Sequence, residues 1–405
     1  MGFADLSSLG SEDLAAPMER LLADPHNAAT YRRLADLLFV AGLAEETADD
    51  AEHLRAFAFD AGRAWARKPL SYEIGLADEW ACVHVEHSII DGATLLEAVR
   101  RMQEADPEAP SERPAEPAAQ PPAGPSAAAV TAADVDAGPP APDASDGARQ
   151  EDGSDPVRSE ESPAPAELTW RLAPEVLTAL RGPLEDYRRR AARLRVALVR
   201  VPRVPEERLP FPMSADGLQQ LIMTVAQLLT YGRVRSVYES VDTRAFQAGR
   251  TECLRPVTPE AIAFARSLLA GRAERDGLAE ALAAHRDWVK ACKTGRGVDR
   301  HLTGLEEAAR RLDIEDAFFA DESLARLRAD FLSTTSLGTA DRIVRYAFAP
   351  SLPHGFGVSY TRYPESFEYC LAYDAEEAER PRLFRSNLAE AAGLLARFIA
   401  AVAPY

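Results

Sequence analysis

The residues in this chain best suited to proton transfer lie in the string VHVEHSIIDG, where His87 is followed four residues on by Asp91 and then by Gly92. An imidazole titrating near neutrality is the usual base for taking a hydroxyl or thiol proton. A carboxylate in reach of its other ring nitrogen would fix the tautomer and favour the imidazolium that forms. Glycine permits a tight turn where a strand hands over to a helix. On its residues alone the string allows two readings, a catalytic base or a histidine that merely serves the turn. Cys82, Cys253, Cys292 and Cys370 are widely separated and form no CxxC pair. Reduced thiols, without a zinc site or disulfide framework, are expected. No metal-ligand spacing appears and no cofactor is expected.

The HxxxDG pattern resembles that of CoA-dependent acyltransferases with the chloramphenicol-acetyltransferase type of fold. Three further blocks narrow the resemblance: residues 231–256 (YGRVRSVYESVDTRAFQAGRTECLRP), residues 295–305 (GRGVDRHLTGL), and LSTTSLGTAD from Leu332 followed by APSLPHGFGVSY, ending at Tyr360. Together with EHSIIDG, and in this order, they resemble the carnitine/choline O-acyltransferase family. The resemblance implies His87 as the base and Asp91 as the carboxylate that orients it. Ser333, Thr334 and Thr335 stand where the family has its Ser-Thr-Ser motif, whose last hydroxyl steadies the oxyanion; that hydroxyl is Thr335, or Ser336 if the alignment slips by one. Tyr238, Thr251 and Arg300 match the set that holds the carboxylate of carnitine, and Phe348 the ring beside its trimethylammonium. Choline-using relatives carry Asn where this chain has Arg300, and a guanidinium has no carboxylate to meet in choline.

The implied donor is acyl-CoA, a substrate. Ser214 and Asp216 match the block that adjoins the CoA site, but Pro205 and Leu209 stand where two lysines hold the 3′-phosphate. Arg203 and Arg208 are the candidate replacements. If neither serves, the donor expected is an acyl-carrier thioester on a phosphopantetheine arm. The matching region begins well inside the family pattern, and roughly the first third is expected to be missing. An open sheet edge would follow, so the chain is expected to dimerise, to borrow a partner polypeptide, or to be an inactive scaffold relative.

The elements that must position these residues follow from apolar periodicity. Helices are expected over Leu14–Leu22, Tyr31–Val40, Ala48–Trp65, Gly92–Met102, Pro174–Leu194, from Ser214 as N-cap to Leu229, and over Pro259–Arg272, Gly277–Cys292, Val298–Leu312 and Ala375–Val402. Strands are expected over Leu70–Ile74, Trp80–Val85, Val196–Val201, Ile343–Phe348, Gly357–Tyr360 and Phe367–Tyr373. The fold class expected is α/β and chloramphenicol-acetyltransferase-like, two halves with mixed sheets flanked by helices, the first half incomplete. Its partition is residues 1–103, a linker over 104–167, and 168–405. That linker holds 15 acidic residues against 3 basic and 13 of the 29 prolines, so it accounts for most of the net charge of −18 and is expected to be disordered. An acidic chain repels phosphate backbones, which excludes general nucleic-acid binding. The opening residues lack the basic and apolar regions of a leader and no apolar run reaches a membrane span, so a soluble, cytoplasmic protein is expected.

Overall fold

The computed structural model describes residues 1–88, 90–106 and 167–403. The Pro/Ala/acidic stretch read as a linker lies, apart from its ends, outside the described residues.

The larger of two sheets has six strands in the order β4 (Leu194–Pro202), β9 (Ser366–Asp374), β8 (Phe356–Arg362), β7 (Leu332–Thr335), β5 (Val237–Asp242) and β6 (Thr251–Leu254). Strands β8, β7 and β5 run parallel to one another, and the pairs β4–β9, β9–β8 and β5–β6 are antiparallel. Alternation along each strand sorts the side chains onto two faces. One face carries Leu332, Phe356, Val358, Tyr360, Tyr369 and Leu371, all buried in the main core with helices α6 (Ala215–Tyr231), α7 (Pro259–Leu269), α8 (Arg275–Lys293) and α11 (Pro381–Val402). Helix α6 is buried on nearly every side, which matches its apolar composition. Its N-cap is Ser214, whose hydroxyl accepts the Gly217 N–H at 3.2 Å.

The opposite face divides in two. At its β4/β9 end, Ala372, Val196 and Leu194 pack on Phe59 of α3 (Asp50–Phe59) and on Ala191 of α5 (Pro174–Ala191). At its β5/β7/β8 end it is lined by Tyr238, Ser240, Ser333, Thr335, Gly357 and Ser359, which the strand registers place side by side. That polar end is where the chemistry-bearing residues gather.

The smaller sheet comprises β1 (Val40–Ala44), β2 (Leu70–Gly75) and β3 (Ala81–Val85), with β1 parallel and β3 antiparallel to β2. Helices α1 (Ser11–Leu22) and α2 (Pro25–Asp36) precede it, and α4 (Gly92–Glu104) follows the turn that carries His87. Residues 1–104 and 169–405 form a single compact unit. Asn27 donates to the Arg171 carbonyl at 2.8 Å, the Trp170 indole donates to the Phe3 carbonyl at 3.0 Å, and Tyr187 donates to the Phe59 carbonyl at 2.9 Å.

Two expected elements are corrected. Residues 343–348 form no strand. The segment instead crosses the site face of β8: Ser359 donates to the Tyr346 carbonyl at 2.5 Å, and a Cβ at Gly357 would lie 2.4 Å from the Phe348 carbonyl oxygen. Its backbone polar groups are thus met from beneath, not by a neighbouring strand. The second helix ends at Asp36, and Val40 belongs to β1 because pairing with β2 overrides the helical spacing. The strands β5, β6 and β7 and a short helix α10 (Glu322–Arg328), between α9 (Asp299–Arg311) and β7, were not expected as elements.

Candidate active site

His87 lies in the turn between β3 and α4, with 74% of its side chain exposed. Its Nδ1 is 2.6 Å from the Ile90 carbonyl oxygen. A carbonyl only accepts, so Nδ1 carries the hydrogen, and in the neutral ring the lone pair is on Nε2. This corrects the expected role of Asp91. Its carboxylate is 3.7 Å from Nδ1, beyond hydrogen-bond distance, and the orienting group is the Ile90 backbone.

Asp91 is buried and grips Arg250 through two bonds of 2.9 Å. Hydrogen bonding to that guanidinium holds the Asp91 carboxyl below the usual carboxylate range. Arg250 also donates to the carbonyls of His87 (3.0 Å) and Ser88 (2.5 Å). Asp91 therefore fixes the histidine turn against the residue preceding β6, acting through Arg250. On its other side the turn meets Leu337, two residues beyond β7: a Cβ at Gly92 would come within 2.8 Å of that side chain. His87 is thus carried on a turn bracketed by the beginning of β6 and the end of β7.

Tyr238, Thr251 and Arg300 come together as the motifs imply. Thr251 opens β6 opposite Asp242, and Arg300 stands in the first turn of α9. Arg255 pins the N-terminal end of that helix by pairing with Asp299 at 2.9 Å. Arg300 donates from Nε to the Thr251 carbonyl (3.3 Å) and from its backbone to Glu252 (3.1 Å), leaving its terminal nitrogens outward and exposed. The Tyr238 hydroxyl sits beside Ser240 and Thr251 under the Arg300 charge, and burial raises its pKa. Ser240 is a member of this group that the motif comparison did not single out. Two residues from Tyr238 on a strand, it had to share its face.

The Ser-Thr-Thr run divides by strand alternation. Ser333, opposite Tyr238, and Thr335, opposite Ser359, face the site. Thr334 faces the core, a correction to its candidate catalytic role. Its hydroxyl donates to the Tyr238 carbonyl (2.6 Å) and accepts from Gln220 (2.9 Å), so it is fully engaged. Thr335 has the Tyr346 hydroxyl beside it, an oxygen buried without hydrogen-bond geometry to any described group. Phe348 lies on the same segment, over Gly357.

Of the three residues expected at the donor site, Arg203 is corrected. Its guanidinium is nine-tenths buried and donates to the carbonyls of Tyr363 (3.3 Å) and Pro364 (3.2 Å) and to Glu206 (2.8 Å), so it braces the loop between β8 and β9. Arg208 is exposed and has no acid within ion-pair distance among the described residues. Asp216 lies on the core side of the sheet. It accepts the Tyr360 hydroxyl at 2.7 Å, and the same hydroxyl is 2.9 Å from Glu239 and 3.1 Å from Gln220.

One phenol hydrogen serves only one of those two carboxylates. With Gln220 also donating to the phenol oxygen, the close contact with Glu239 needs a hydrogen on Glu239 itself. Burial pushes the Glu239 carboxyl up, in agreement. His285 stands 3.3 Å from Glu239. Burial opposes charge on this imidazole, but hydrogen bonding to Glu239 and the nearby Asp216 carboxylate outweigh it and hold the pKa above its ordinary value. Asp216, Glu239 and His285 are the one group of ligand-type side chains that converge among the described residues. Asp216 Oδ1 and Glu239 Oε1 meet the Tyr360 hydroxyl, and Glu239 Oε2 meets His285 Nε2. The network also ties α6 to β7 and β5, the strands that carry Ser333, Thr335 and Tyr238.

Comparison with known proteins follows this geometry. A family model described as Choline/Carnitine o-acyltransferase matches residues 2–390. Choline O-acetyltransferase of Danio rerio is 27% identical over 52% of this chain and 34% of its own length. The putative mitochondrial carnitine O-acetyltransferase of Saccharomyces cerevisiae is 30% identical over 46% of this chain and 30% of its own. Carnitine O-palmitoyltransferase 2, mitochondrial, of Xenopus tropicalis is 34% identical over 36% and 23%. The chain thus spans about a third or less of the curated relatives it matches. A wax ester synthase/diacylglycerol acyltransferase from Marinobacter aquaeolei VT8 aligns over 90% of this chain and 80% of that structure, at 12% identity and a TM-score of 0.36.

Proposed function

The chain belongs to the choline/carnitine O-acyltransferase family, and from that premise we propose that it moves an acyl group between a CoA thioester and the hydroxyl of carnitine or a similar zwitterion. The acceptor's carboxylate is held by Arg300, Tyr238 and Thr251, with the Phe348 ring beside its cationic end. His87 Nε2 takes the hydroxyl proton as the oxygen attacks the thioester carbonyl. Thr335, with Ser333 next to it, donates to the oxyanion. The tetrahedral intermediate collapses with loss of the thiolate, to which His87 returns the proton. No metal or cofactor enters these steps.

The observation that carries the reading is the bond from His87 Nδ1 to the Ile90 carbonyl, which leaves Nε2 free on a turn clamped beside the acceptor trio. A base without that lock would have to pick its tautomer at each turnover. The experiment is a mass-spectrometric endpoint assay in which acetyl-, octanoyl- and palmitoyl-CoA are each offered with carnitine and with choline, beside His87→Ala. Acyl-carnitine formed only with intact His87 is the expected result. Equal or preferential acylation of choline would remove the assigned role of Arg300.

A second reading concerns the donor. Arg203 is spent on backbone carbonyls, which leaves Arg208 as the only free replacement for the family's two lysines. This favours a donor without a 3′-phosphate, such as an acyl group on a carrier protein's phosphopantetheine arm. Comparing acetyl-CoA with acetyl-3′-dephospho-CoA decides it: a large loss on removing the phosphate excludes the carrier donor.

A further inference from the structure

The small sheet has an uncovered edge. Among the described residues β1 is paired only with β2, so the backbone groups on its outer side have no described strand opposite them. Natural sheets blunt such an edge with charge or proline. The run Leu37–Ala44, LLFVAGLA, has neither. Pairing sets Leu43 beside Ile74, and the two are 66% and 43% exposed. Leu38 is 86% exposed, and Phe39, half-exposed, stands edge-on to Tyr72 at 5.3 Å. Leu37 and Leu76 are exposed as well, at 44% and 55%.

The charges around the strand are arranged in opposite senses at its two ends. Ahead of it lie the exposed Arg32 and Arg33, with no acid in ion-pair range among the described residues, and Asp36; behind it come Glu45, also without an ion pair there, and Glu46, paired to Arg63 at 3.2 Å. Antiparallel pairing centred on Ala41 sets Phe39 of each copy opposite Leu43 of the other on one face of the joined sheet, an apolar cross-strand pair. Residues 105–167 are a poor occupant for the same face, since they hold no Leu, Ile, Met or aromatic residue and are strongly acidic.

We propose that β1 pairs antiparallel, about a two-fold axis, with β1 of a second copy of this chain, joining the two small sheets into one of six strands. The interface is isologous and closed, so it stops at the dimer.

Sedimentation velocity of the full chain from about 1 to 50 μM gives the test. The expected species has twice the 44.0 kDa of the chain, and in the Leu38→Lys/Leu43→Lys variant it falls to the monomer, with at least a 100-fold weaker association. Both positions are exposed, so circular dichroism should stay as in the parent chain; Leu43→Ser alone, a milder change, should weaken association without charge. A second exposed apolar group surrounds α9, and Leu312→Lys/Phe318→Lys should leave the dimer intact. A parent chain monomeric throughout overturns the proposal. So does a dimer that survives the β1 changes, or one that dissociates only with the α9 pair.

Discussion

Thr334 and Thr335 are adjacent, chemically identical and turned to opposite sides of β7, so replacing each by valine separates structure from chemistry. Thr334 has no solvent exposure, and its hydroxyl joins Gln220 to the Tyr238 carbonyl. Valine keeps the shape but leaves a buried amide hydrogen and a buried carbonyl each short of a partner, at about 1–3 kcal/mol apiece. Gln220 keeps its bond to Tyr360, so the total expected for Thr334→Val is about 2–4 kcal/mol, or a fall in Tm of roughly 3–6 °C for a folded unit of this size. Turnover measured well below that transition should change less than about fivefold, because the hydroxyl never faces the site. Thr335→Val should do the reverse: a stability change under about 1 kcal/mol and a kcat lower by ~10²–10³, the usual cost of one oxyanion donor. Urea unfolding and single-turnover acylation on the two variants read both quantities. A Thr334→Val protein as stable as the parent but slow, beside a Thr335→Val protein that turns over normally, would refute the assignment by strand face.

Arg300→Asn should raise the KM for carnitine by about 10- to 100-fold through loss of a charge-assisted pair while leaving that for choline unchanged or lower, in steady-state assays with both acceptors. Glu239→Gln tests the proton on the buried carboxyl. Because its folded pKa lies above the ordinary 4.5, the folded state binds the extra proton, so the stabilisation is complete below about 4.5 and is lost as pH rises through the folded value. The parent's urea midpoint should decline over that range, and the slope should flatten in the glutamine variant; an unchanged slope would mean that Glu239 is not its source. Arg203→Ala should lower the melting temperature with little effect on donor KM, whereas Arg208→Ala should raise the KM for acyl-CoA and leave the melt alone. Asp91→Asn should lower kcat, and the difference in stability from the parent should shrink as pH falls through the depressed pKa of Asp91, where the parent too loses the charge.

Much of the scaffold was legible because burial imposes a period. α6, α7, α8 and α11 bury apolar faces at helical spacing, and β8 and β9 are apolar runs within two residues of their expected bounds. β7 reads LSTT, four residues whose polarity comes from the site on one side and the Gln220 network on the other, so no apolar alternation marked it. The alternation in residues 343–348 was real but misleading, since its backbone is met by Ser359 across the sheet face. In the site, the family motifs singled out Tyr238, Thr251 and Arg300, which the fold brings together. They could not locate the Ile90 carbonyl, because a backbone acceptor leaves no mark on residue type. Arg250 lay inside a quoted motif, yet its partner Asp91 is 159 residues away in sequence, a distance no local pattern spans.

The order of strands in the large sheet also sets a timetable. β4, the first of its strands to be made, hydrogen-bonds only to β9, the last, whose partner residues lie about 170 positions later. At synthesis rates of about 5–20 residues per second, β4 would wait roughly 10–35 s for its neighbour. Phe59 of α3 must also wait, since the face it covers includes Ala372 of β9. The parallel pairs β5–β7 and β7–β8 join strands well separated in sequence, and such non-local pairs are slow to close. The nascent chain therefore presents an unmet face of α3 for most of its synthesis, and the turn that carries His87 finds its seat only once Arg250 and Leu337 have been made.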